Sequence, residues 1–135
     1  MEGLSLIKIK NMTADQEPMP PVPVNESNFA VEVLRSKAPV VAAFLAAWSR
    51  PCQVIRPVLD EVVVACGGRV KFVEIDADDY PGLGLEYDVR SIPALLFFVA
   101  GNPRDRIVGT ASAEAILAKC RKVFGVTCNL DNPTK

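Results

Sequence analysis

The chain has 135 residues, of which half are hydrophobic and 23% are charged, and its formal net charge is -1. This is the composition of an ordinary soluble globular domain, and it argues against a nucleic-acid-binding patch or a polybasic membrane anchor. Because no apolar run approaches the ~20 residues that span a bilayer and the N-terminus lacks a signal-peptide pattern, we expect a cytoplasmic monomer that binds neither nucleic acid nor membranes.

The N-terminal third of the sequence begins with a polar and then proline-rich stretch. Residues 1–20 are predicted to form a flexible arm that leads into an edge strand. Residues 29–37 have apolar positions at helical spacing and follow capping candidates at 25–28, which predicts a first helix. Residues 40–47 are short and almost wholly apolar, as in a strand that is buried on both faces of a sheet.

The next segment carries the signals of a helix from about Pro51 to Ala65. Ser49 is positioned to cap its start, and Pro51 falls in the first turn, where a missing N–H costs little. Pro57 lies further inside and predicts a kink. Gly67 then ends the helix.

The second half of the chain predicts three strands and two helices. The strands are 70–75, 94–99 and 104–108, and the helices are a short one through residue 87 and an amphipathic one over 112–124. Residues 125–135 are predicted to form a flexible polar tail, so the domain extends over 21–124. The resulting order, β-α-β-α-β-α-β-β-α, predicts an α/β fold with a central mixed sheet of about five strands flanked by about four helices.

Histidine is absent, and the four cysteines are Cys52, Cys66, Cys120 and Cys128. Without imidazole there is no serine–histidine or cysteine–histidine nucleophile pair. No two cysteines are spaced as Cys-x-x-Cys, so neither a metal site nor a cofactor is expected. The acidic residues Asp76, Asp78 and Asp79 lack further ligands and are interpreted as a solvated turn.

The cysteines outside residues 48–52 carry weaker expectations. Cys66 is predicted to pack at the end of its helix, and Cys128, on the predicted tail, is expected to be the most exposed thiol. A disulfide between Cys120 and Cys128 is geometrically possible, but nothing in the sequence positively supports it.

Residues 48–52, Trp-Ser-Arg-Pro-Cys, lie between the buried strand and the following helix. Pro57, Ile92-Pro93 and Val108-Gly109 follow in that order. On these motifs the chain resembles the thioredoxin family from about residue 24 to 124. The resemblance implies a thioredoxin fold in which Ile92-Pro93 is a cis peptide bond that faces the active-site turn.

The sequence departs from the family at the position of the attacking cysteine, which is Ser49. In the family this cysteine sits at a helix N-terminus that lowers its pKa to about 7. An alcohol is too weakly acidic to be ionised in this way, and it cannot form a disulfide. The family's buried aspartate and its companion lysine align with Ala43 and Phe72. The standard dithiol cycle is therefore excluded at this site.

Two functions remain open at the site. The first is a binding module that holds an extended peptide or protein segment by β-augmentation in the family's groove. By resemblance, that groove is formed by Trp48, Arg50, Pro51, Ile92, Pro93 and Gly109. The second is a monothiol thiol–disulfide oxidoreductase in cell redox homeostasis, with Cys52 accepting glutathione or forming a mixed disulfide.

The side chains of Cys52 and Arg50 each allow two interpretations. Cys52 is either a small buried hydrophobic residue on the first helical turn or the single reactive thiol of the site. Arg50 is either a solvated turn residue or a fixed positive charge that attracts an acidic peptide and lowers the pKa of a nearby thiol.

Overall fold

A five-stranded mixed sheet forms the centre of the protein, in a computed structural model that describes residues 19–130. Its strands are β1 (Val22–Val24), β2 (Val40–Leu45), β3 (Lys71–Asp76), β4 (Ala94–Val99) and β5 (Asn102–Val108). They lie in the order β1-β3-β2-β4-β5, with β1, β2 and β3 parallel and with β4 antiparallel to both β2 and β5. The predicted α/β fold with a mixed sheet is confirmed.

Three α-helices pack around the sheet: α1 (Arg50–Cys66), α2 (Pro81–Glu86) and α3 (Ala113–Phe124). A single π-helical turn at Ala30–Leu34 replaces the longer helix predicted over 29–37. It closes with a bond from the N–H of Arg35 to the carbonyl of Ala30 at 2.9 Å. The chain leaves helical geometry at Arg35, four residues before Pro39. Over residues 19–130, every helix is too short or too polar to be a membrane span.

Strand β2 is buried at every position, as its uninterrupted apolar sequence predicts. Val41, Ala43 and Leu45 face the cluster built with α1 and α3, whereas Val40 and Phe44 face the opposite cluster with the π-helical turn. Covering both faces of a central strand removes the need for polar positions along it. The carboxyl end of β2 therefore leads out of a fully packed sheet directly into the segment that precedes α1.

Helix α1 begins and ends at the residues that the sequence signals. Ser49 is its N-cap, Pro51 lies in its first turn and Pro57 lies inside it. Gly67, with a φ of 59°, ends it and starts a single 3₁₀ turn over Gly67–Arg69. A positive φ of this kind strains any residue with a Cβ, which is why glycine occupies the position.

Residues 125–130 differ from the predicted flexible tail. Gly125, with a φ of 72°, adopts the left-handed conformation that ends α3 and turns the chain back. Val126 and Cys128 then pack against the core cluster of α1 and α3, and the N–H of Asn129 donates to the carbonyl of Ala65 at 3.3 Å. The rest of that prediction, like most of the predicted arm at 1–20, lies outside the described residues.

Candidate functional site

The candidate site starts where β2 leads into α1. The N–H of Ser49 donates to the carbonyl of Ala46 at 3.2 Å, and the N–H of Gln53 donates to the carbonyl of Ser49 at 3.0 Å. These two bonds close a tight turn and open the first turn of the helix. Arg50 and Pro51 lie exposed at the tip of this connection.

The hydroxyl of Ser49 caps helix α1. Its Oγ accepts a hydrogen bond from the N–H of Cys52 at 3.3 Å, and the backbone of Ser49 is extended, as an N-cap requires. Ser49 is only 3% exposed. The oxygen that stands in the nucleophile position therefore satisfies one of the free N–H groups at the start of the helix.

Cys52 is fully buried, at 0% exposure, in the cluster between the sheet and α1. Ala43 of β2 and Phe72 of β3, where the resemblance implies the family's aspartate and lysine, belong to the same cluster. Thiol exchange needs an accessible sulfur, and solvent does not reach this one. Cys52 thus lies on a packed, apolar floor.

Trp48 is the exposed part of the turn. Its side chain is 69% exposed, and its indole Nε1 donates a hydrogen bond to a carboxylate oxygen of Asp78. Asp78 is itself held by the turn after β3, where the carboxylate of Asp76 accepts from the N–H groups of Asp78 and Asp79 at 2.9 and 3.0 Å. The acidic residues thus build a turn, and the described residues contain no group of three that suits a metal ion.

Opposite this turn runs the segment that leads into β4. The Ile92–Pro93 peptide bond is cis, as the resemblance implies. The carbonyl of Pro93 accepts a hydrogen bond from the N–H of Gly109 at 2.8 Å, which joins this segment to the end of β5. Within residues 19–130, neither the N–H nor the carbonyl of Ile92 makes a hydrogen bond. An open donor and acceptor therefore lie beside the turn.

Trp48 and Ile92 line one hollow together with residues of α2 and of the loop that follows it. Leu85 of α2, at 84% exposed, lies on its rim, and Val89 and Arg90 also line it. The structure therefore brings the predicted residues Trp48 and Ile92 together in one groove. Of the other predicted groove residues, Pro93 is buried and is joined to Gly109 by a hydrogen bond, and neither of these lines the hollow. The exposed Arg50 and Pro51 do not line it either, and Cys52 lies beneath the surface.

Sequence reasoning missed the contributions of Asp78, Leu85, Val89 and Arg90 to this groove. Asp78 lies 30 positions from Trp48, and no local spacing signals that contact. Leu85 carried a weak signal, because it is a large apolar residue in a short helix whose core position is filled by Leu83. Arg90 is paired with Asp88 at 2.7 Å, whereas Arg50 forms no ion pair among the described residues.

Comparison with known proteins identifies the family to which a chain with this fold and this turn belongs. The thioredoxin family model matches residues 20–122, which is most of the chain. The chain belongs to the thioredoxin family. Its five-stranded mixed sheet, the helix that starts beside β2 and the Ile92-Pro93 segment are the thioredoxin fold as this sequence builds it.

Several thioredoxins resemble this family member over most of the described residues. It is 34% identical to the thioredoxin of Pyropia yezoensis over 99 residues, which cover 73% of this chain and 92% of that one. It is 40% identical to thioredoxin 1 of a Nostoc species over 86 residues, or 64% of this chain and 80% of that one. Against the chloroplastic M-type thioredoxin of Spinacia oleracea the identity is 34%, and the match spans 55% of that longer protein.

Proposed function

We propose that this chain is a redox-attenuated member of the thioredoxin family that binds an extended peptide in the groove beside Pro93. The observation that carries the proposal is the division of the site into two parts. The groove residues Trp48 and Ile92 are available at the surface, whereas Ser49 serves as a helix cap and Cys52 is buried. Recognition is retained in such a site without the covalent step.

The loss of redox chemistry rests on three side chains. Ser49 cannot form a disulfide with Cys52, and its hydroxyl is engaged by the helix. Ala43 and Phe72 contribute methyl and phenyl groups to the cluster that holds Cys52. The carboxylate of Glu74, the residue paired with Ala43 across the sheet, is bound by Arg56. A serine in place of cysteine exchanges a single atom. The apolar side chains around Cys52 are a second departure, and they suit a site without thiol exchange.

Binding of an extended peptide rests on the backbone of Ile92 and on the apolar surface around it. The free N–H and carbonyl of Ile92 can pair with a peptide backbone in the manner of β-augmentation. Trp48 and Leu85 both line the hollow and expose large apolar surfaces, which favours a peptide with apolar side chains. Arg50, which is exposed and unpaired among the described residues, favours an acidic residue nearby.

Reduction of insulin by dithiothreitol tests the redox half of this proposal. We expect the native chain to leave the reaction at its uncatalysed rate. Ser49→Cys restores a dithiol at the N-terminus of α1 and should raise the rate at least roughly tenfold. The double variant Ser49→Cys/Cys52→Ala is the control and should lose that gain. Turnover by the native chain would instead assign the alternative function, a monothiol oxidoreductase that uses Cys52 and accepts glutathione there.

Trp48, the only tryptophan of the chain, reports on the binding half. The probe is the carboxymethylated B chain of insulin, an extended polypeptide without tryptophan. We expect it to change the emission of Trp48 saturably. Leu85→Glu places a carboxylate on the rim of the hollow and should weaken the affinity about tenfold, because the charge loses water when the peptide binds.

Val64→Glu is the matched control for that experiment. Val64 is also exposed, but it lies in the last turns of α1, about 20 Å along the helix from Arg50. This variant should bind the probe as the native chain does. Equal loss in both variants, or no response of Trp48 to the probe, would contradict binding in the groove.

A further inference from the structure

Three of the four cysteines meet at the far end of α1, away from Ser49. Cys66 is the last residue of α1, Cys120 lies on α3 and Cys128 lies in the segment after α3. Cys66 and Cys120 belong to one buried cluster against which Cys128 packs, and the thiol of Cys66 lies beside the other two. We refer to these three residues as the thiol cluster. Cys128 is the least buried of the four thiols, as the sequence predicts, although it packs against the core and does not lie on a free tail.

The backbone holds Cys128 next to Cys66. The N–H of Asn129 donates to the carbonyl of Ala65 at 3.3 Å, so the residues adjacent to this bond, Cys128 and Cys66, are brought side by side. A disulfide needs Cα atoms about 4.4–6.8 Å apart. Cys120 also lies beside Cys66, on the helix that packs against α1, so the preference for Cys128 rests on its greater access to solvent.

Access distinguishes Cys128 from the other two thiols. Cys66 and Cys120 are fully buried, whereas Cys128 is only partly buried, so a small molecule reaches Cys128 first. Hydrogen bonding, with Cys120 for Cys66 and with Cys66 for Cys128, and burial raise the pKa of both thiols, and the guanidinium of Arg69 beside them opposes this only in part. Because the thiolate is the form that reacts with an oxidant, oxidation at this site should be slow near neutral pH and faster in alkali.

We propose that Cys66 and Cys128 are a second redox site, a dithiol that a hydroperoxide converts into a disulfide. This bond would fasten residues 125–130 to the end of α1. The proposal is independent of the Ser49–Cys52 site, because it uses neither its residues nor its groove. It assigns to this thioredoxin-family chain a two-electron oxidation at the opposite end of α1 from the usual one.

The reaction balances with one molecule of hydrogen peroxide. The Cys128 thiolate attacks one peroxide oxygen, the O–O bond breaks, and hydroxide leaves to give a sulfenic acid on Cys128. The sulfur of Cys66 then attacks the sulfur of Cys128, and the sulfenic oxygen leaves as water after it takes up the Cys66 proton. Two thiols and one peroxide yield one disulfide and two waters, so the protein loses two electrons and the peroxide gains them.

Peptide mapping of the full chain tests the proposal. The reduced protein is treated with hydrogen peroxide at pH ~8.5 and at pH ~10.5, where more of the thiolate forms, then alkylated and digested with trypsin. Because Arg50 and Arg56 precede prolines and resist cleavage, Cys66 falls in peptide 38–69, and Cys128 falls in peptide 123–135. We expect these two peptides to be joined, with a mass loss of two hydrogen atoms that dithiothreitol reverses.

Variants and thermal melting make the assignment specific. Peptide 38–69 also contains Cys52, so the cross-link should persist in Cys52→Ala. It should also persist in Cys120→Ala and disappear in Cys128→Ser. In the native chain the oxidised form should melt about 10 °C above the reduced form, because the bond closes a long loop. A cross-link to Cys120, a disulfide-linked dimer, or oxidation of Cys128 without a cross-link would overturn the proposal.

Discussion

Ser49 and Ser112 perform the same task at the scale of a single residue, although only one occupies a catalytic position in the family. Each is the N-cap of a helix, and each accepts a hydrogen bond from a backbone N–H, that of Cys52 at 3.3 Å and that of Ala115 at 3.1 Å. Ser49 is buried and Ser112 is exposed. The hydroxyl of Ser49 therefore gives α1 a buried capping oxygen.

Removing the cap at Ser49 should destabilise the protein. We expect Ser49→Ala to lower the free energy of unfolding by about 1 kcal/mol, since the Cys52 N–H loses its acceptor in a buried setting. Urea denaturation followed by circular dichroism measures the change. Ser112→Ala is the matched control and should cost no more than Ser49→Ala, because water can replace the exposed hydroxyl. An unchanged or raised stability of Ser49→Ala would show that the hydroxyl does not act as a cap.

At the scale of elements, α1 joins two regions of different chemistry. Ser49 caps its N-terminus, and Cys52 is buried in its first turn. Its last residue, Cys66, lies beside two further thiols. The segment after α3 completes this second region through the bond from Asn129 to Ala65. The packing of residues 125–130 is thus an extension of the contact between α1 and α3.

The thiol cluster should make stability depend on alkaline pH. Hydrogen bonding, with Cys120 for Cys66 and with Cys66 for Cys128, is the main cause that raises the pKa of each thiol, and burial adds to it. The unfolded chain therefore releases these protons at a lower pH than the folded chain. This contribution to stability is complete below the usual thiol pKa of ~8.5 and is lost as the pH rises above it.

Urea midpoints of the reduced protein between pH ~7 and ~10.5 measure this loss. Cys128→Ala removes one thiol of raised pKa and should show a shallower decline than the native chain above the usual thiol pKa. Burial also raises the pKa of Tyr87, but this group is present in both proteins and cancels in the comparison. Parallel declines in the two proteins would mean that the cluster does not resist ionisation.

At the scale of the whole molecule, the sheet and its helices could be predicted because their signals are local. The apolar run of β2, the cap and proline that open α1, and the glycines that end α1 and α3 each act within a few residues. Apolar spacing predicts a longer helix than the π-helical turn that forms, because the spacing does not show at which residue a helix ends. The mostly polar sequence from 125 onward likewise carries no local signal that Val126 and Cys128 pack against the core.

The parts of the site that could not be predicted depend on contacts between distant residues. The bond from Trp48 to Asp78 joins two loops, and the contact of Cys66 with Cys128 joins the ends of two packed elements. Neither contact can be predicted from the sequence, because the two residues lie far apart along the chain and no repeating pattern links them. By contrast, Ser49, Cys52 and Ile92-Pro93 could be located in advance because they belong to a motif whose order along the chain resembles a known family.

The cap formed by Ser49 has a kinetic consequence for any complex made at the groove. With oxygen at position 49, no disulfide can link that residue to a bound chain, so under the proposed binding function such a complex is noncovalent. Its lifetime would be set by the dissociation rate constant alone, and dilution would lower the occupancy of the groove while dithiothreitol would leave it unchanged. Thermal dissociation, and not electron transfer, would end each encounter.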